Sequence, residues 1–306
     1  MVARVNRALS ANWSGPVPTI EQNRNRWDID YSWPDDGDEW SRRWGSAEAQ
    51  WFESLLPRLH PFLPTGTILE IAPGHGRWTQ FLKNYCSQLV ILDVGAHCIE
   101  ACRRRFSSCS HITYHVNDGR SLRMVPDRSV DLAFSFDSLV HAEADVIASY
   151  LKDLAAKLKP DGVGFIHHSH IGAYRRTFSM INRVPERLRT RLEQKGLLPH
   201  DHWRAHSMTA RRFEQMCTDA GLWCIGQELV SWNGPRLIDA FSLFTSAGSR
   251  WARPNRIFEN RQFMKMADYG RQIAEHYARL SYPLKQDKSP PMSIPALVSG
   301  DARPSR

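Results

Sequence analysis

The run Thr67-Ile-Leu-Glu-Ile-Ala-Pro-Gly-His-Gly76 constrains this chain more than any other stretch. An apolar segment with strand-forming residues passes straight into a turn that holds two glycines, and helix-forming residues follow from Trp78 to Leu82. Such a strand–turn–helix brings backbone N–H groups close to a ligand, and Gly74 and Gly76 can take dihedrals that a side chain would forbid. A second apolar run, Leu89-Val-Ile-Leu92, ends in Asp93, 23 positions after Glu70. An acid about 20 residues beyond the turn is where a doubly wound sheet holds a ribose diol.

From Thr67 onward short apolar runs alternate with amphipathic segments. Strands are expected at 67–72, 88–93, 112–116, 130–136 and 162–167, with helices near 78–85, 96–106 and 143–158. Right-handed crossovers make such a βαβ succession parallel. A helix at 209–220 opens on Thr209, and the runs Leu222–Leu229 and Leu237–Thr245 flank a turn at Asn233-Gly-Pro, which is short enough to force antiparallel pairing. The expected fold is α/β and Rossmann-like: a seven-stranded mixed sheet of five parallel strands plus a C-terminal antiparallel hairpin, with helices on both faces.

Three units are expected along the 306 residues. Residues 1–45 form a lead-in rich in aromatics, with five of the eleven tryptophans in the first 44 positions, a concentration suited to covering a core or a ligand. Residues 46–250 form the main domain, with Ser46 capping a helix through Trp51 and Leu55 and a basic insertion at 174–206. Residues 251–306 hold a helix near 259–281, packed on the domain or on a second copy as a homodimer, and a proline- and serine-rich tail expected to be disordered, as are residues 1–25. Much of the net charge of +8 is local: between Tyr174 and Lys195 the chain carries Arg175, Arg176, Arg183, Arg187, Arg189, Arg191 and Lys195 against only Glu186 and Glu193. A solvated helix face and an anionic substrate both fit that pattern. The six cysteines contain no C-x-x-C pair, and Cys98 and Cys102 fall on one helical face as small buried hydrophobes. No apolar run is long enough to span a membrane and no signal h-region opens the chain, so a cytoplasmic protein is expected.

The spacing Glu70-x-Ala72-x-Gly74-x-Gly76 departs from the nicotinamide fingerprint. It resembles motif I of the class I S-adenosylmethionine (SAM) methyltransferases, with Ala72 where that motif carries glycine, which implies a slightly different turn. The wording of Gly66–Gln80, of Phe136-Asp-Ser-Leu-Val-His141 and of Ile166-His-His-Ser169 resembles a bacterial O-methyltransferase-like subgroup associated with polysaccharides and secondary metabolites. By this resemblance SAM is the cofactor. Glu70 anchors its methionine end, Ala72, Pro73, Gly74 and Gly76 form the turn beneath it, and Asp93 with Val94 takes the ribose. Asp118 and Gly119 meet the adenine, and Phe136, Asp137 and Ser138 lie beside the transferred methyl.

Methyl transfer from a sulfonium needs an aligned nucleophile, a base and the exclusion of water. His141 follows the fourth strand, and His167, His168 and His170 follow the fifth. Histidine titrates where a hydroxyl proton must be removed at neutral pH. His141 or His168 is the expected base and His170 an orienting group, while strand alternation sends His167 and His168 to opposite faces. A divalent metal on Asp137 and these histidines is the alternative that a chelator would expose; no metal ligand set is assigned. The expected substrate is a hydroxylated small molecule or glycan. The insertion's charge also admits an RNA methyltransferase, although no Asn-Pro-Pro-Tyr signature follows the fourth strand. A SAM-binding module without catalysis is the third reading.

Overall fold

The computed structural model describes residues 19–280 except 196, 200 and 233, so the expected tail and residue 233 of the hairpin turn lie outside the described residues. One sheet runs through the molecule. Its strands are β1 (Thr65–Ile71), β2 (Cys86–Asp93), β3 (Ile112–Val116), β4 (Val130–Ser135), β5 (Leu158–Ser169), β6 (Leu222–Val230), β7 (Asp239–Ser246) and β8 (Ile257–Asn260), in the order β3-β2-β1-β4-β5-β7-β6-β8. The first five are parallel, and β7 runs antiparallel between β5 and β6. The sheet therefore has eight strands rather than seven, because Ile257–Asn260 adds a parallel edge beside β6. Ile257 and Phe258 stay exposed, so this strand shows none of the one-sided alternation that marks a strand in sequence.

Both faces of the sheet are covered along its inner parallel strands, and successive residues supply opposite cores. Leu69, Leu92 and Ala133 pack with Ile147, Leu151 and Leu154 of one crossover helix and with Phe213. Ile68, Ile91, Leu132 and Phe134 face Trp51, Leu55, Ile99 and Cys102 on the other side. In chain order the helices are α1 (Ile20–Arg24), α2 (Ala47–Gln50), α3 (Leu56–Leu59), α4 (Thr79–Leu82), α5 (Ala96–Arg105), α6 (Ala144–Lys157), α7 (Arg175–Ile181), α8 (Glu186–Gln194), α9 (Ala210–Asp219) and α10 (Phe263–Leu280).

Part of the lead-in expected to be irregular is helical. Thr19 caps α1, its Oγ1 accepting from Gln22 N at 3.2 Å while Gln22 Oε1 accepts from Thr19 N at 2.9 Å, a reciprocal capping box. Asn25–Asp30 continues α1 as a π-turn. Ser46 Oγ accepts from Ala49 N at 3.0 Å, and Trp51 and Leu55 behind it are fully buried. On α10, Phe263, Met264 and Ala267 pack inward while Met266, Ile273 and Tyr277 face out. Among the described residues no helix is long and apolar enough to cross a membrane.

Candidate active site

A cavity of about 820 Å³ opens at the carboxyl ends of β1, β2, β3 and β4, where parallel sheets place their ligands. The turn after β1 forms its floor. Ala72, Gly74 and Gly76 all take left-handed backbone conformations, at φ 58, 56 and 87°. Ala72 holds a conformation that glycine takes without cost, pinned by Ala72 N donating to Leu92 O at 2.8 Å and by Ser138 Oγ donating to Ala72 O at 2.7 Å. Ala72, Pro73 and Gly74 line the cavity. Gly76 lies behind them, where an added Cβ would meet the Phe106 ring at 2.5 Å, so its role is to let α5 pack against the turn.

Asp93 joins the two halves of the floor. One carboxylate oxygen accepts from Gly74 N at 3.1 Å and the other from Gly95 N at 2.9 Å, and burial pushes its pKa up to about 6 against the pull of these backbone donors. Val94 and Gly119 line the same wall with Asn117, whose Oδ1 accepts from Gly119 N and whose Nδ2 donates to Tyr150 Oη. Glu70 sits beneath the turn, fully buried and off the cavity wall. Thr79 Oγ1 donates to it at 2.6 Å, which opposes the burial that raises its pKa to about 8.

Asp118 is a correction. Its carboxylate accepts from Arg120 N, Ser121 N and Ser121 Oγ at 2.7–2.9 Å, and the side chain is exposed outside the cavity lining. An aspartate in a tight turn satisfies the local backbone first.

The fourth and fifth strand ends treat their histidines differently. Phe136, Asp137, Ser138 and His141 all line the cavity. Asp137 takes a left-handed φ of 67° and pairs with Arg77 at 2.8 Å; burial would raise its pKa, but the guanidinium prevails and holds it below the ordinary carboxylate range. His141 Nδ1 lies 3.1 Å from Trp203 O, and the ring stacks on Trp27. A carbonyl only accepts, so Nδ1 carries the proton and Nε2 is the basic atom. Burial lowers the His141 pKa.

His168 is a second correction. It is wholly buried on the other side of the sheet, stacked at 4.3 Å on Phe213, with Nδ1 2.8 Å from Ser169 O and Nε2 2.8 Å from Ser242 Oγ. Both nitrogens are occupied, and burial lowers its pKa to about 3. His170 also lies off the cavity, its Nδ1 accepting from Ala210 N at 2.8 Å at the start of α9. It orients a helix and not a base. His167 does point to the opposite face, where its Nδ1 accepts from Asp137 N at 3.0 Å. Among the described residues no group of three or more histidines, cysteines or carboxylates is placed to hold a metal ion.

The aromatic lead-in, whose tryptophans suit it to covering a ligand, roofs the cavity together with the insertion. Trp27, Asp28 and Trp33 of the lead-in, His202, Trp203 and Arg204 of the insertion, and Trp232 close the cavity from above. Arg204 Nε and Nη2 donate to the two oxygens of Asp239 at 2.6 and 2.7 Å, both side chains are buried, and Trp232 Nε1 donates to the same carboxylate. His167 Nε2 approaches Asp239 at 3.2 Å without hydrogen-bond alignment. Arg204 and Asp239 stand 35 positions apart, beyond any local motif. The lead-in meets the floor at its glycines: a Cβ at Gly74 would lie 2.5 Å from the Trp33 ring, at Gly95 2.5 Å from Asp28 Oδ1, and at Gly119 2.7 Å from Ile20.

The residues present fit a SAM nucleoside. A glycine cradle faces a carboxylate that keeps acceptor capacity beyond its two backbone donors, and the volume exceeds what one such molecule fills. Residues 68–162 match the family described as methyltransferase domain. No curated protein matches the chain. Among solved structures, a SAM-dependent methyltransferase of Leishmania major aligns with a TM-score of 0.51 at 12% identity, over 79% of this chain and 89% of its own. The N-methyltransferase NodS of Bradyrhizobium japonicum, in complex with S-adenosyl-L-homocysteine, aligns at 0.47 and 16% identity over 80% and 97%. The DhpI complex with SAM aligns at 0.44 and 18% identity over 74% and 94%. The stretch that matches as a methyltransferase domain runs from within β1 into β5, across the parallel strands whose ends form the cavity.

Proposed function

We propose that the protein transfers the SAM methyl to a hydroxyl of a small molecule or sugar, as the bacterial subgroup it resembles would, with His141 as the base. The observation that carries this reading is the wall at the end of β4. There His141 is the one candidate base among the four histidines named in the sequence that lines the cavity. The cofactor, when bound, supplies an electrophilic methyl on a positive sulfur. The chain's own residues do the rest. Asp93, with Gly74 and Gly95 fixing both of its oxygens, is preset to accept from a ribose hydroxyl. Asp137, held ionised by Arg77, puts a negative group in the same wall. Trp203 O and the Trp27 ring hold the His141 imidazole in one tautomer and one plane, so Nε2 takes the hydroxyl proton as the oxygen attacks. The lowered His141 pKa keeps that nitrogen unprotonated at neutral pH. Trp33, Trp40 and Trp232 line the roof and keep water from the reacting atoms.

Incubation with methyl-labelled SAM and a panel of glycosides and phenols tests the reading. His141→Gln should lower kcat by about 10²–10⁴-fold with cofactor affinity unchanged. Label arriving only on amines, or full turnover in His141→Gln, overturns it.

A further inference from the structure

A second groove, of about 720 Å³, lies on the far side of the segment that walls the active site. His202, Trp203 and Arg204 face the first cavity, and His206 and Ser207 face the second. Ser207 Oγ donates to Glu143, itself part of the first wall, so one hydrogen bond separates the two spaces. Arg175, Ser179 and Asn182 follow helical spacing along α7 and its end, with Arg183 next in the chain, and Arg212 comes from the first turn of α9 opposite them.

The chemistry of this lining is one-sided. Every side chain in it can donate a hydrogen bond, three are guanidinium groups, and none is a carboxylate. Among the described residues no carboxylate forms an ion pair with Arg175, Arg183 or Arg212. Asp201 is paired with His206 at 3.1 Å, and the Arg212 guanidinium donates to Ser207 O at 3.0 Å. Three guanidinium groups brought together without a counter-charge repel one another, and an anion with several acceptor oxygens relieves that repulsion through charge-assisted, forked hydrogen bonds. The positive end of α9, which opens at Thr209 on the same groove, adds to the field. No Phe, Tyr or Trp lines the groove, and the edge of its one imidazole, His206, is paired with Asp201, so it lacks the run of stacking platforms that single-stranded nucleic acid uses.

We infer that the groove formed by Arg175, Arg183, Arg212 and His206 binds a phosphoryl group. That group is carried either by the methyl acceptor, which rests on the function proposed above, or by a free phosphate compound acting beside the site. Calorimetric titration of the full chain with inorganic phosphate and with glucose 1-phosphate, at constant ionic strength set with chloride, tests this. Saturable binding is expected, weakened about tenfold or more in Arg183→Gln and in Arg175→Gln/Arg212→Gln. The thermal midpoint and the affinity for S-adenosyl-L-homocysteine should stay at wild-type values, because these arginines are exposed at the groove mouth. In Trp203→Ala, a loss confined to the sugar phosphate places the phosphate on the acceptor, and equal affinity for both probes identifies a free anion. Non-saturable binding, or unaltered affinity in the arginine variants, overturns the inference, as does a short RNA that outcompetes phosphate with a steep salt dependence. Retained homocysteine-cofactor binding in the same titrations keeps the methyltransferase reading separate from that failure.

Discussion

Replacing Arg204 by methionine is the most demanding trial of the site's architecture. Both partners of the Arg204–Asp239 pair are buried, and the contact is bidentate at 2.6 and 2.7 Å. Methionine keeps the apolar stem but leaves the carboxylate without its guanidinium. Stranding one member of a buried pair costs about 3–5 kcal/mol, against a total stability of roughly 5–15 kcal/mol. Each kcal/mol moves the midpoint of a large domain by about 2–4 °C, so Tm should fall by roughly 6–20 °C. Most of that cost belongs to the stranded charge, which Asp239→Asn removes. Arg204→Met/Asp239→Asn should therefore be more stable than Arg204→Met alone, with a coupling of about 1–3 kcal/mol. Burial would raise the Asp239 pKa, but Arg204 outweighs it and holds the carboxyl well below its usual range. A depressed carboxylate contributes stability above its unfolded value and loses it as pH falls through the folded one. The advantage of wild type over Asp239→Asn is thus complete at neutral pH and shrinks below about pH 4. Urea unfolding followed by tryptophan fluorescence at pH 7 and pH 3.5 measures all three. A double variant no more stable than the single, or a single variant within about 0.5 kcal/mol of wild type, refutes the reasoning.

Ala72→Gly should stabilise the protein by about 0.5–1 kcal/mol in the same assay, since it releases a left-handed alanine at the cost of glycine's greater freedom when unfolded; a loss of stability would show that the turn is not strained. Asp93→Ala should weaken cofactor binding by at least tenfold in calorimetry, as a hydrogen bond to a charged group is worth about 1.5–3 kcal/mol, and unchanged affinity removes the ribose assignment. Glu70, raised to about 8 by burial, contributes stability that is present below its unfolded value and lost as pH rises through the folded one. The ligand-free Glu70→Gln variant should therefore gain on wild type between pH 5 and pH 9, and a constant difference across that range would mean the carboxyl is not held protonated.

The inner strands and the glycine turn were legible because burial on two faces leaves continuous apolar runs and the turn demands glycine at fixed offsets. Strand β8 was not, because its side chains at Ile257 and Phe258 point into solvent and the sheet supplies only backbone pairing. Acids at strand ends proved ambiguous for a physical reason: Asp93 and Asp118 occupy equivalent places, yet one accepts from the glycine turn and the other from its own loop. His141 and His168 show the same limit, since sequence gives the strand end but not which side of a doubly covered sheet the ring enters. The Arg204–Asp239 clamp joins an insertion to a strand, and only the folded chain brings such pairs together.

Because Ile20, Asp28 and Trp33 rest in hollows that three glycines leave on the floor, the segment from 20 to 33 and any occupant of the cavity share walls. Coupling of this kind is reciprocal. A ligand that tightens against the tryptophans must stabilise the docked segment by the same factor by which the segment's docking raises the ligand's equilibrium affinity. A single methyl introduced at Gly95, far along the chain from residue 28, should thus loosen both at once.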